Sequence, residues 1–285
     1  MKYHFIGGEI IPDSQALIPV FDLGLLRGYG VFDFFNVKQG VPMFLNEHLA
    51  RFLNSARQVD LVCPYGIKEL RKHIIELIAK NKMITGSMKV VLTGGISSNG
   101  FDPDGPNRLM ILAGDLIFPV TEEGDIHPFR LKTIDYVRET PGVKSLNYLV
   151  PLLHWKESKA AGFHDLLYVH DGWVSETSRA NLFAVTYDNI LITPSEKILG
   201  GVTRDHVIRL AKTYMPVEIR PLSLQEVLHC KSVFLTSTTK KIRPVSQIDE
   251  HVFSSTECWD PAGKLLQELK SMEDQYILEF LRHQE

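Results

Sequence analysis

Apolar residues recur along this chain with two different periods, and the changes between them mark out its elements. Short apolar or alternating runs bounded by turn residues predict strands at Tyr3–Ile6 and Gly30–Val37. Helical spacing then takes over. Leu45–Val59 lines up Leu49, Phe52, Leu53 and Ala56 on one face, and Ile67–Lys82 lines up Leu70, Ile74, Leu77 and Ile78. Strands at Met88–Leu92 and Leu109–Ala113 flank a glycine-rich loop, Gly94–Gly105, and Gly114–Pro119 reads as a linker. Beyond it, Arg130–Tyr136 reads as a strand and Asn147–Ala161 as a helix, with Pro151 in its first turn and Gly162 as its stop. Leu166–His170 and Asn181–Val185 are expected as strands, Arg204–Tyr214 as a helix capped by Thr203, Val233–Thr236 as a strand, and the stretch after Pro261 as a C-terminal helix.

Helices and strands are mixed without a regular strand–helix–strand cadence, which predicts an α+β fold. A length of 285 residues suits two domains, expected at 1–116 (small, N-terminal) and 117–285 (larger, C-terminal). The cleft between two domains is the default place for a ligand.

Composition narrows the class of partner. Hydrophobic residues at 44% and charged residues at 23% fit an ordinary folded protein. The net charge of −3 is spread along the chain, with no like-charged run that suits nucleic acid or a membrane surface, so a small molecule is the expected partner. Cys63, Cys230 and Cys258 are odd in number and show no CxxC spacing, which argues against a disulfide framework or a zinc site and points to a reducing cytoplasm. No segment approaches the run of about 20 apolar residues that a membrane helix needs. The eleven histidines show no HExxH pattern, and no metal is expected.

Several short segments carry candidate chemistry. Leu199-Gly200-Gly201-Val202-Thr203 runs into a helix start, where unpaired amides make an anion site. Thr236-Ser237-Thr238-Thr239 ends a strand with hydroxyls and amides that suit a phosphate. Lys144 lies in Pro141-Gly142-Val143-Lys144-Ser145-Leu146-Asn147, a short connection that would hold its amine rigidly, and Glu176 follows a hairpin turn at Asp171-Gly172. Each segment taken singly also suits a plain loop, cap or surface residue.

Their joint order, with Phe44-Leu45-Asn46-Glu47-His48-Leu49-Ala50-Arg51 upstream, resembles the fold-type IV pyridoxal-phosphate family of branched-chain aminotransferases, D-amino-acid aminotransferases and aminodeoxychorismate lyases. The resemblance runs from about Phe21 to Val245 and implies a two-domain architecture with pyridoxal 5′-phosphate in the interdomain cleft. It implies Lys144 as the Schiff-base lysine and proton carrier, Arg51 on the cofactor phosphate, and Glu176, in Ser175-Glu176-Thr177-Ser178-Arg179-Ala180-Asn181, at the pyridine nitrogen. It places Val202, Thr203, Ser237 and Thr238 around the phosphate. Tyr148 resembles the tyrosine that bonds the ring oxygen, and equally suits a half-buried aromatic of the helix start. The family assembles as homodimers or larger.

The substrate end departs from the family pattern. D-amino-acid aminotransferases show a tyrosine where Phe32 stands, and an arginine and a histidine in the loop that here reads Gly95-Ile96-Ser97-Ser98-Asn99-Gly100-Phe101. Aminodeoxychorismate lyases show a threonine near Phe34 and an arginine in that loop. A substrate carboxylate still needs a cation or several donors, and Arg27, Lys89 and Arg179 are the candidates. The expected activity is amino transfer between a D-amino acid or an L-branched-chain amino acid and a 2-oxo acid. The lyase, or a non-catalytic binding protein on the same fold, is the alternative.

Overall fold

The computed structural model describes residues 2–115, 127–254 and 260–283. The chain divides into two compact units, one formed by Met1–Pro119, Val143–Asn147 and Glu273–Glu285, the other by Val120–Gly142 and Tyr148–Met272.

The first unit is a sheet backed by helices. Its elements are β1 (Tyr3–Ile6), β2 (Glu9–Pro12), α1 (Leu23–Arg27), β3 (Gly30–Lys38), β4 (Val41–Pro42), α2 (Leu45–Gln58), α3 (Ile67–Lys80), β5 (Gly86–Thr93) and β6 (Arg108–Gly114). The strands run in the order β2-β1-β6-β5-β3-β4, antiparallel throughout. Alternation along β3 sends Val31, Phe35 and Val37 into a core shared with Leu49, Phe52 and Ala56 of α2 and Leu70, Ile74 and Leu77 of α3. The even positions Phe32 and Phe34 take the opposite face of the pleat. β4 covers only Val37 and Lys38 of β3, and the start of β3 has a different neighbour on that edge: Val31 bridges Ser145. Phe32 N donates to Lys144 O at 2.9 Å, and Leu146 N to Gly30 O at 3.0 Å. Val143 enters the core beside them. A division at 116/117 assigns this segment to the second domain. The strand-edge pairing and the burial of Val143 make it part of the first unit instead.

The second unit contains β7 (Phe129–Asp135), α4 (Leu149–Ala160), β8 (Asp165–His170), β9 (Trp173–Thr177), β10 (Asn181–Val185), β11 (Leu191–Thr193), α5 (Val202–Ala211), β12 (Val217–Ile219), β13 (Leu222–Ser223), α6 (Leu224–Leu228), β14 (Ser232–Ser237), β15 (Lys241–Ile248), β16 (His251–Val252) and the start of α7 (Asp260–Arg282). Its sheet runs β12-β11-β10-β14-β15-β7-β8-β9-β13, and a further pairing of Glu176 with Asn181 joins β9 back to β10. Six strands from β10 to β9 thereby close on themselves through this pair, while β12 and β13 remain at the ends of the sheet. Leu182, Ala184, Val233, Leu235 and Val245 pack on one side of this sheet, and Phe183, Phe234 and Val207 with Leu265 and Leu269 of α7 on the other. Burial on both faces explains why β10 reads as a continuous apolar run.

Several boundaries differ from the sequence reading. α5 starts at Val202 and its N-cap is Gly201, with no side-chain cap bond, so Thr203 lies inside the first turn and does not cap the helix. The reason is steric: a Cβ on Gly201 would stand 2.0 Å from Asn181 Oδ1, so only glycine admits this approach. The strands β4, β11, β12, β13 and β16, of two or three residues, are too short to show a period. β15 is masked in the sequence by Pro244, which lacks an amide for the ladder. Residues 116–119 of the expected linker lie outside the described residues.

Phe52, fully buried in the first core, tests that packing. Phe52→Ala should lose about 3–5 kcal/mol of unfolding free energy, measured by urea denaturation.

Candidate functional site

The charges of the first unit converge around β3. Asp33 is an odd position of that strand and is 0% exposed, among residues that are otherwise apolar. Such a carboxylate needs partners, and α2 supplies them from two positions three apart, on one helix face. Arg51 Nε donates to Asp33 Oδ2 and Arg51 Nη2 to Oδ1, both at 2.8 Å. His48 Nδ1 lies 2.8 Å from Oδ1, and the Phe34 amide donates to the same oxygen at 2.7 Å. Burial pushes the Asp33 carboxyl up, but the Arg51 charge, the His48 ring and their hydrogen bonds outweigh it and hold the group well below the usual carboxylate range. Burial, opposed by Asp33 and reinforced by Arg51 and Lys144, keeps His48 below its ordinary value and so neutral. The result is a guanidinium whose plane is fixed by a bidentate carboxylate.

On the other face of β3, the Phe32 ring has Lys144 Nζ at 4.5 Å and Lys89 Nζ at 5.5 Å from its centroid. Lys89 reaches it from β5, where it stands opposite Phe34. The Lys144 backbone is held at both ends: its carbonyl by Phe32 N, and its amide by Ser55 Oγ of α2 at 3.2 Å. The amine therefore leaves a fixed backbone, as the short connection predicted. Arg27 is elsewhere in character, exposed in the last turn of α1 with its Nη1 donating to Leu26 O at 3.2 Å.

In the second unit, Glu176 is only 4% exposed, where a surface acid was an even alternative. Its Oε1 accepts from Arg138 Nε at 2.8 Å and Nη2 at 2.6 Å, and its Oε2 from the Leu199 amide at 3.0 Å and Asn181 Nδ2 at 3.4 Å. Asn181 Nδ2 also donates to Leu199 O at 2.8 Å. The carboxylate is thus tied directly to the loop that opens α5, whose Val202 and Thr203 amides have no acceptor within their own helix. Arg204 braces the same helix start from below, with Nε on Thr193 Oγ1 at 3.2 Å and Nη2 on Pro194 O at 2.9 Å. A third cluster ties the Ser237–Lys240 turn to the end of β9. Lys240 Nζ and the Ser178 hydroxyl both donate to buried Asp165, and Lys240 N donates to Ser237 Oγ at 3.1 Å. Arg179 is exposed and acts electrostatically on this Asp165–Lys240 pair. Tyr148 is half-buried at the N-cap of α4. Thr236 Oγ1, one residue before Ser237, is buried without a hydrogen-bond partner among the described residues.

Asp33, His48, Arg138, Asn181 and Asp165 were missed from the sequence. A lone acid in the apolar strand Val31–Val37, and a histidine and an arginine three apart on a helix, were signals in plain view. Arg138 and Asn181 carried no such pattern: Asn181 meets Glu176 across the pairing of β9 with β10, and Arg138 meets it through a side chain 38 positions away.

The chain matches the family model for amino-transferase class IV over residues 30–248. A protein of Methanocaldococcus jannaschii, provisionally named a branched-chain-amino-acid aminotransferase, is 30% identical over 279 residues, covering 94% of this chain and 95% of its own length. The D-alanine aminotransferase of Listeria monocytogenes serotype 4b is 29% identical over 251 residues, 86% of each chain. Among solved structures, the branched-chain amino acid aminotransferase of T.th. with pyridoxamine 5′-phosphate superposes with a TM-score of 0.87 at 27% identity, covering 96% of this chain and 94% of that one. A mixed α/β chain with a charge-lined lysine and a buried acid thus falls within an enzyme class that works on amines. The chain belongs to the class IV amino-transferase family.

Asp33→Asn should remove the buried partner of Arg51 and cost about 3–5 kcal/mol at neutral pH. The folded carboxyl lies below its unfolded value of about 3.9, so its contribution is complete above that value and is lost as pH falls through the folded one. The gap in urea midpoint between wild type and variant should therefore narrow below about pH 4.

Proposed function

We propose that this chain is a pyridoxal-phosphate-dependent aminotransferase that moves an amino group between an amino acid, D- or L-branched-chain, and a 2-oxo acid such as 2-oxoglutarate or pyruvate. The observation that carries this is the Lys144 amine, 4.5 Å from the centre of the Phe32 ring on a backbone held by β3 and α2. The donor set suits the cofactor: an amine for its aldehyde, an arginine and an uncapped helix start for its phosphate, and a buried carboxylate for its ring nitrogen. A Cβ on Gly200 would meet nothing within 4 Å, which leaves room at that helix start.

Pyridoxal phosphate, when bound, supplies a carbonyl that takes up an amine and a ring that accepts the electron pair left when an α-proton departs. Lys144 Nζ is its covalent anchor. With the cofactor bound, the Nζ amine would be the group placed to hold its carbonyl and to take up or return a proton. Arg51, held flat by Asp33, offers its charge to the phosphate, with the Val202 and Thr203 amides and the Ser237 and Thr238 hydroxyls as further donors. Glu176 would accept the hydrogen bond of a protonated ring nitrogen, and Tyr148 would bond the ring oxygen. Among the candidates for the substrate carboxylate, Lys89 is favoured, because it shares the Phe32 face with Lys144; Arg27 and Arg179 are exposed.

Mixing the yellow loaded protein with D-alanine, D-glutamate or L-leucine should bleach the cofactor absorbance for the accepted amino acid. Lys144→Ala should lower amino transfer by at least about 10²-fold; unchanged transfer in that variant defeats the mechanism. Release of pyruvate from aminodeoxychorismate without amino transfer makes the lyase reading the correct one, and cofactor binding with no turnover on any of these makes the chain a binding protein.

The working form is proposed to be a homodimer in the cytoplasm. No helix among the described residues is long and apolar enough to cross a membrane, and Cys63 and Cys230 are free thiols, in keeping with a reducing compartment. Val20, Phe21 and Leu25 leave large apolar side chains exposed, as does Phe101 at 72% in the loop that pairs with them through Phe21 O and Gly95 O. Light scattering should give twice the chain mass, and Phe101→Asp should shift the population toward monomer.

A further inference from the structure

We propose that Arg138 is the positioning residue that keeps Glu176 ionised and aimed, and that it thereby governs how strongly the site holds a cofactor by its ring nitrogen. This rests on the reading of the chain as a pyridoxal-phosphate enzyme.

Glu176 sits in β9 at the one pairing that joins this strand to β10, where water reaches little of it. A carboxylate in such a place takes up a proton unless charge and hydrogen bonds hold it ionised. A protonated acid would be a poor acceptor for a ring N–H⁺. Arg138 meets the requirement with two nitrogens on the same oxygen, Nε at 2.8 Å and Nη2 at 2.6 Å from Oε1. Its own side chain is 18% exposed, so the pair is shielded from solvent and its charge is not spent on water. The guanidinium is fixed in turn, because Nη2 also donates to Pro141 O. That bond closes the Arg138–Pro141 stretch on itself and prevents the arginine from swinging off the acid. Oε2 faces the other way, to the Leu199 amide and Asn181. The carboxylate is therefore held from two sides, by the Arg138 fork and by the Leu199 amide with Asn181. The neighbouring Tyr168, whose phenol burial and the Asp165 and Glu176 charges push above its ordinary value, stays neutral and does not compete for the acid's charge.

The role differs from a purely structural one in what it selects. A residue that only braces the fold supports any ligand of the same shape. A residue that acts through Glu176 supports only a ligand with a nitrogen at that ring position. The probe that separates the two is 1-deaza-pyridoxal phosphate, which keeps the aldehyde and phosphate and replaces the ring nitrogen by carbon.

Apo protein would be titrated with pyridoxal phosphate and with its deaza analogue, following intrinsic fluorescence, for wild type, Arg138→Met and Arg138→Lys. Wild type should prefer pyridoxal phosphate. Arg138→Met should weaken it by about tenfold, the scale of one charge-assisted hydrogen bond, while the analogue changes less than about twofold, so the preference collapses. Arg138→Lys, with charge but no fork, should restore part of it. Equal weakening of both ligands, or of neither, in the methionine or the lysine variant would overturn the role assigned to Arg138. Wild-type protein that binds neither ligand would instead bring down the cofactor reading itself.

Discussion

The structure depends on a short strand-edge pairing. Phe32 N and Leu146 N donate across to Lys144 O and Gly30 O, so a segment of five residues completes the edge that β4 leaves uncovered at the start of β3. Two ladder bonds and the burial of Val143 set the register, and a one-residue slip would turn Lys144 away from the Phe32 face. Ser55 of α2 adds a third hold on the lysine amide. The role proposed for Lys144 needs such a fixed origin, because a long side chain on a mobile loop spends its reactivity on conformational search.

The second theme is pairing of buried charge. Arg51 is matched by Asp33, Glu176 by Arg138, and Lys240 by Asp165. None of these pairs is evidence of unusual stability, since desolvation offsets much of the attraction. Their effect is orientation. Each fixes the plane or the rotamer of one group that the proposed chemistry uses, or of the turn that carries it; the two arginines do so through two nitrogens each and Lys240 through one. The fixed groups can then meet a ligand without paying for rearrangement at that moment.

Closure of the second sheet links packing to chemistry. Glu176 and Asn181 are partners across the pairing of β9 with β10, and Asn181 reaches on to Leu199 and fills the space that a Cβ on Gly201 would need. One asparagine therefore connects the acid to the helix start of α5. The glycine at 201 is required by this contact, and the absence of a side-chain cap on α5 follows from it.

The sequence by itself determined the helices α2 and α3, most of the longer strands and the membership of the chain in its family, and it marked Lys144, Arg51 and Glu176 as candidates, because periodicity and ordered local motifs are written in neighbouring residues. Asp33, an acid in an apolar strand, was legible there but was not singled out, and neither was its pairing with Arg51 and His48. Only the tertiary structure decided that the Lys144 segment belongs to the first unit, that Gly201 and not Thr203 is the N-cap of α5, and that Arg138 and Asn181 hold Glu176. Those facts rest on strand edges and closures between residues five to more than a hundred positions apart, and such pairings leave no period in the chain that makes them.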